Sequence, residues 1–71
     1  MEYKVNDYNP NEIIKFIRDW TDLTQKEFAE SLHLSKKTIE GYEYGTINYS
    51  FATFMKMCKK YELEVIVRKQ K

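Results

Sequence analysis

Two helix-start signals joined by a very short linker constrain this fold more than any other feature of the sequence. Thr24 opens the run Thr-Gln-Lys-Glu, a capping box that predicts the start of a helix. Ser35 is a second N-cap residue, and only His33 and Leu34 separate it from the end of the first helix. Two amphipathic helices joined this closely must cross steeply. The sequence therefore predicts a tightly joined pair of helices that ends near Gly45.

The apolar residues of this stretch fall on one face of each predicted helix. Phe28, Ala29 and Leu32 follow helical spacing in the first helix, and Ile39 and Tyr42 follow it in the second. We expect the small side chain of Ala29 at the crossing point, because a larger residue there would force the helices apart.

These ordered residues resemble the lambda-repressor/Cro-like helix-turn-helix family, of the xenobiotic-response-element type. The resemblance extends from about residue 13 to residue 63. The matching residues are Thr24, Gln25, Phe28, Ala29, Leu32, Leu34, Ser35, Ile39, Tyr42, Glu43 and Gly45. Arg18 lies where the family carries an arginine that pairs with the glutamate represented here by Glu43, so the resemblance implies a structural ion pair. It also implies a mainly α transcriptional regulator, a repressor for example, that binds double-stranded DNA.

Two further start signals predict a helix on each side of this pair. Asn9 precedes Pro10, which favours the first helical position, and this helix should continue to about Thr21. Ser50 caps a helix that should end near Tyr61. We expect one domain over residues 1–71, with an arm or strand over 1–8, a core of four to five short helices over 9–61, and a strand over 62–69.

The C-terminal segment changes from helical to alternating periodicity. Its β-branched residues predict a strand, and a strand at the end of a domain needs a partner for its backbone groups. That partner is either Tyr3–Val5, in a terminal two-stranded sheet, or the same segment of a second subunit. Residues 50–67 also resemble the end of Hip-type antitoxins, which dimerise through a C-terminal strand. This resemblance implies an autoregulating antitoxin with a toxin partner, and a homodimer held by Val65, Ile66 and Val67.

The family resemblance places the second helix of the pair in the major groove of DNA, where its N-terminal residues meet base edges. Lys36 and Lys37 can donate to guanine there. Gly41 either allows the backbone to approach DNA closely or makes fewer contacts. Gln25 is expected to hold a phosphate at the start of the first helix. The full set of expected DNA contacts is Gln25, Ser35, Lys36, Lys37, Thr38, Glu40, Gly41, Tyr44 and Thr46.

The distribution of charge favours a second function. The formal net charge is only +1, which is weak for a protein that binds nucleic acid. Residues 56–71 carry six basic and two acidic side chains, whereas residues 32–55, which include the predicted recognition helix, carry two of each. The alternative is a protein-interaction module whose main partner is a toxin or another protein, with weak DNA binding.

Cysteine and histidine usage argues against an enzyme or a metalloprotein. Cys58 is the only cysteine and His33 the only histidine, which excludes an internal disulfide and a Cys/His metal site. We expect no catalytic residues, no metal and no cofactor. The sequence has no signal peptide and no apolar run near about 18 residues, which predicts a cytoplasmic protein without a membrane partner.

Three further positions carry structural expectations. Asp22 and His33 stand where the family has glycine, and both residue types tolerate a positive φ better than most. Trp20 is expected either to pack on Tyr3 or Tyr8, or to lie exposed as an anchor for a protein partner.

Overall fold

The computed structural model describes residues 2–70 and has a mainly α fold, as predicted. Its four α-helices are α1 (Pro10–Thr21), α2 (Gln25–Ser31), α3 (Lys36–Tyr44) and α4 (Phe51–Lys60), preceded by a 3-10 helix over Val5–Asp7. Met1 and Lys71, the outer residues of the expected domain, lie outside the described residues. Within those residues, no helix combines the length and the apolar character needed to cross a membrane.

Each α-helix begins immediately after the N-cap residue that the sequence predicts. Thr24 Oγ1 accepts a hydrogen bond from the Glu27 N–H at 3.1 Å, and Glu27 Oε1 accepts from the Thr24 N–H at 2.9 Å. This reciprocal pair is the predicted capping box. Ser35 and Ser50 each accept from the N–H three residues later, at 3.1 Å. Asn9 precedes α1. Polar N-cap residues in the sequence therefore determine where each α-helix begins.

The core lies where the four helices meet. Ile14 of α1, Phe28 of α2, Ile39 of α3 and Met57 of α4 are completely buried. The other buried apolar side chains are Ile13, Ile17, Ala29, Tyr42 and Cys58. Because every helix contributes a fully buried side chain, removal of any helix would open a cavity in the core.

Tyrosines at both ends attach α4 to the other helices. The Tyr61 ring stacks on Phe28 with ring centroids 5.7 Å apart, and its hydroxyl shares a hydrogen bond with Ser31. Tyr49, just before α4, donates its hydroxyl to the Pro10 carbonyl at 2.6 Å. These contacts fix α4 across α2 and the start of α1.

The N-terminal segment forms a small aromatic cluster with α1. Tyr3 stacks on Phe16 with ring centroids 4.0 Å apart, and its ring centroid lies 5.3 Å from that of Trp20. Tyr8 packs edge-on against both Tyr3 and Phe16. Trp20 thus packs on the N-terminal segment, one of the two expectations for this residue, and it remains 41% exposed. The 3-10 helix over Val5–Asp7 takes the place of the expected N-terminal strand.

The predicted C-terminal strand over residues 62–69 is wrong for the single chain. Glu62 adopts a positive φ of 56° after α4, and the Leu63 N–H donates to the Cys58 carbonyl at 2.8 Å. No β-strand forms within residues 2–70, because Tyr3–Val5, the internal partner considered, is held in the aromatic cluster and the 3-10 helix. The tail is therefore unpaired, and its exposed β-branched residues are Val65, Ile66 and Val67.

Candidate nucleic-acid interface

The turn between α2 and α3 sets the crossing of the two helices at Ala29. The Ala29 side chain is buried, and its carbonyl accepts from the N–H groups of Leu32 at 3.0 Å and Leu34 at 2.9 Å. His33 adopts a positive φ of 58° in this turn, and Asp22 adopts 59° after α1, as the sequence predicts for both. A small buried residue and a left-handed turn residue thus bring α3 across α2.

An ion pair with little solvent exposure ties α3 to α1. Arg18 Nε lies 2.6 Å from Glu43 Oε2, and Arg18 Nη2 lies 3.0 Å from Oε1. The side chains are 23% and 3% exposed, respectively. Arg18 Nη1 also donates to the Leu23 carbonyl at 3.1 Å. The hydrogen bond to Glu43 raises the pKa of Arg18, so its guanidinium stays charged. This bidentate contact between Arg18 and Glu43 restricts rotation of α3 relative to α1.

Gln25 belongs to this network, although the sequence places it at a phosphate. Its Nε2 donates to Glu43 Oε1 at 3.2 Å. The Glu43 carboxylate therefore accepts from two side chains, on α1 and on α2. In this arrangement one N–H of the Gln25 amide orients the ion pair.

The first turn of α3 presents the two expected lysines. Lys36 and Lys37 are exposed. Ser35 Oγ and Thr38 Oγ1 lie 2.8 Å apart, so these two hydroxyls hydrogen-bond to each other. Glu40 is partly buried on the next turn. The lysine ammonium groups are therefore the cationic groups that this end of α3 offers to a partner.

Gly41 is buried beneath the side chain of Ile47. A Cβ atom built on Gly41 would lie 2.4 Å from Ile47 Cδ1 and 2.6 Å from Cγ1, far closer than carbon atoms pack. A close approach of DNA to the Gly41 backbone, one of the two alternatives from the sequence, is therefore blocked by Ile47. Sequence reasoning missed Ile47. The signal that could have found it was an apolar residue in a polar loop, six positions after a glycine inside a helix.

The loop after α3 folds onto the carbonyl of Gly41. This oxygen accepts from the N–H groups of Gly45 and Thr46, both at 3.0 Å, and of Ile47 at 3.1 Å. Gly45 allows the reversal by adopting a φ of 83°. The side chains of Tyr44 and Thr46, both expected DNA contacts, are exposed beside the loop. The loop backbone is thus held next to the C-terminal half of α3.

Among the described residues, this surface contains no metal-binding cluster and no reactive thiol. The described residues contain no group of three or more His, Cys, Asp or Glu side chains that could hold a metal ion. Cys58 lies in the core, where burial raises the pKa of its thiol. The thiol therefore stays protonated and behaves as a small apolar side chain.

Comparison with known proteins assigns this arrangement to a family. A family model described as Helix-turn-helix matches residues 14–66. The chain belongs to this helix-turn-helix family. No curated protein matches the sequence significantly.

Several solved structures resemble this helix-turn-helix chain over their full length. A HipB–O4 20mer complex has 26% sequence identity and a TM-score of 0.70, with 99% of this chain and 100% of that chain covered. A HipA–HipB–O2–O3 complex has 26% identity and a TM-score of 0.69 at the same coverage. A structure described as MDT Protein gives the same identity, TM-score and coverage as the latter. The predicted resemblance to Hip-type antitoxins is confirmed by these structures.

Proposed function

We propose that this chain is a HipB-like transcriptional regulator that binds operator DNA through α3. The observation that carries the proposal is the pair of exposed lysines at the start of α3, on a helix that the Arg18–Glu43 ion pair holds against α1. The N-terminal residues of such a helix meet base edges in the major groove. The similar HipB structures are operator complexes, which supports the same role here.

The regulator acts as a homodimer joined through its C-terminal tail. One helix-turn-helix unit contacts few base pairs, so two copies of α3 must lie about 34 Å apart on one face of DNA. Val65, Ile66 and Val67 are 38%, 65% and 93% exposed in the single chain. Three consecutive exposed β-branched residues are unfavourable in water. Pairing of this segment with its copy would satisfy its backbone groups and bury one of its faces.

A toxin protein is the second partner that we propose. The HipA–HipB–O2–O3 complex, which this chain resembles over its full length, contains a second protein beside HipB. The low net charge of +1 indicates that part of the binding energy of this protein comes from contacts other than those with DNA phosphates. An autoregulating antitoxin would bind both partners, and helix-turn-helix family membership favours a role without catalysis.

Replacement of the two lysines tests the DNA proposal. An operator is selected in vitro from randomised 20-base-pair duplexes, and its affinity is measured at several salt concentrations. Lys36→Ala and Lys37→Ala should each weaken binding, and the dependence of log K on log salt should flatten by about 0.9 for each DNA phosphate that is no longer neutralised. Lys15→Ala, which removes an exposed lysine from α1, is the matched control. Equal affinity of the double variant and the wild type would refute the role of α3.

A further inference from the structure

The outer face of α3 contains a position that helix geometry should expose but the fold buries. Lys37, Gly41 and Tyr44 recur at spacings of four and three residues, which places them on one face of the helix. The opposite face, with Ile39 and Glu43, packs inward. Lys37 and Tyr44 are exposed, as this geometry requires, whereas Gly41 between them is buried.

Ile47 covers this position and takes the place of its missing side chain. The point where a Cβ of residue 41 would lie is 2.4 Å from Ile47 Cδ1. The Ile47 N–H donates to the Gly41 carbonyl at 3.1 Å, which fixes the backbone that carries this side chain. Ile47 nevertheless remains 44% exposed. The middle of the outer face of α3 therefore presents branched alkyl groups between Lys37 and Tyr44.

We propose that Ile47 is a specificity-determining residue that contacts the methyl group of one thymine in each half-site. The proposal rests on the proposed function, in which the outer face of α3 lies in the major groove. The base edges there offer hydrogen-bond donors and acceptors, and the one apolar group among them is the C5-methyl of thymine. An exposed alkyl side chain cannot bond to the polar edges, but it can bury this methyl group. Ile47 therefore selects thymine where Gly41 itself makes no contact.

Deoxyuridine substitution tests the contact, because it removes the methyl group and keeps the base pair. The probe is the operator selected in vitro, with each thymine replaced in turn by deoxyuridine. Wild-type affinity should fall about fourfold at one thymine of a half-site, the factor for burying one methyl group, and about 15-fold when both half-sites are changed. Ile47→Ala should bind the unmodified operator more weakly and lose this sensitivity. Equal sensitivity of wild type and Ile47→Ala at every thymine would overturn the proposal.

Two further variants separate a specific contact from a general loss of affinity. Gly41→Ala keeps Ile47 but adds a Cβ that displaces its side chain, so the affinity for the unmodified operator should fall; an unchanged affinity would show that Ile47 does not act from its position over Gly41. Val5→Ala shortens an exposed apolar side chain of the 3-10 helix and should leave the sensitivity unchanged. A wild type that binds the operator but discriminates against deoxyuridine nowhere would refute the role of Ile47 alone. A wild type that selects no operator would refute the proposed function as well.

Discussion

Removal of Arg18 alone should cost more stability than removal of both members of the Arg18–Glu43 pair. Arg18→Met leaves a carboxylate that is 3% exposed, with Gln25 as its one remaining side-chain donor. Loss of one partner of a buried pair costs about 3–5 kcal/mol. We expect about 3 kcal/mol here because Gln25 remains. Glu43→Leu leaves a guanidinium that is 23% exposed and still bonded to the Leu23 carbonyl, so about 2 kcal/mol is expected after allowance for hydration.

The double variant should lose less stability than the two single losses added together. Apolar groups of similar volume can replace a buried ion pair at little cost, so Arg18→Met/Glu43→Leu should lose about 2 kcal/mol. The coupling free energy is then about 3 kcal/mol. For a domain of this size, the Arg18→Met variant should melt about 12–24 °C below the wild type.

Urea unfolding followed by far-UV circular dichroism gives the four free energies of unfolding. All variants are compared at one protein concentration, because dimerisation makes stability depend on concentration. Lys15→Met, an exposed substitution in the same helix, should change stability by less than about 0.5 kcal/mol. A coupling free energy below about 0.5 kcal/mol would show that the pair does not hold α3 against α1.

Three other measurements test separate features. Removal of the residues after Leu63 should leave a folded protein that light scattering shows to be monomeric, and its operator affinity should be greatly reduced. A full-length chain that is monomeric at high micromolar concentration would contradict the tail-mediated dimer. His33→Gly should raise the free energy of unfolding by about 1 kcal/mol, because glycine adopts the observed φ of 58° without strain; a lower melting temperature would contradict this. Burial raises the pKa of both Tyr49 and Cys58, so the folded state retains protons that the unfolded state releases, and stability should fall above about pH 9. Tyr49→Phe should reduce that decline in urea titrations at increasing pH, and an unchanged decline would exclude Tyr49 as its source.

The parts of the fold that depend on local chemistry could be predicted from the sequence. Thr24, Ser35 and Ser50 cap the backbone groups of their own helices, so a few neighbouring residues are enough to locate the start of each helix. The positive φ values of Asp22 and His33 were expected because both residues stand where the family has glycine. The Arg18–Glu43 ion pair spans 25 positions, and it was expected because of the family resemblance.

The features that sequence reasoning missed depend on contacts made only in the folded chain. Gln25 occupies a helix start that suits a phosphate, but in the fold its amide reaches Glu43. The Ile47 side chain packs on Gly41 and leaves no room for a side chain there. The spacing of residues within α3 cannot predict this contact, because Ile47 lies outside the helix. The C-terminal strand was predicted from alternation and β-branched residues, whereas strand formation depends on a partner that the single chain does not supply.

The packing of Ile47 on Gly41 imposes an order on the substitutions by which this domain can acquire a new operator. Any residue introduced at position 41 brings a Cβ atom that meets Ile47 Cδ1 at 2.4 Å. A residue with a side chain at position 41 therefore displaces the Ile47 side chain unless a smaller residue is already present at position 47. Substitution at position 41 is thus more costly in the present background than after a substitution at position 47. The ancestry of related chains should show this sequence of events, with the loop residue changing before the helix residue.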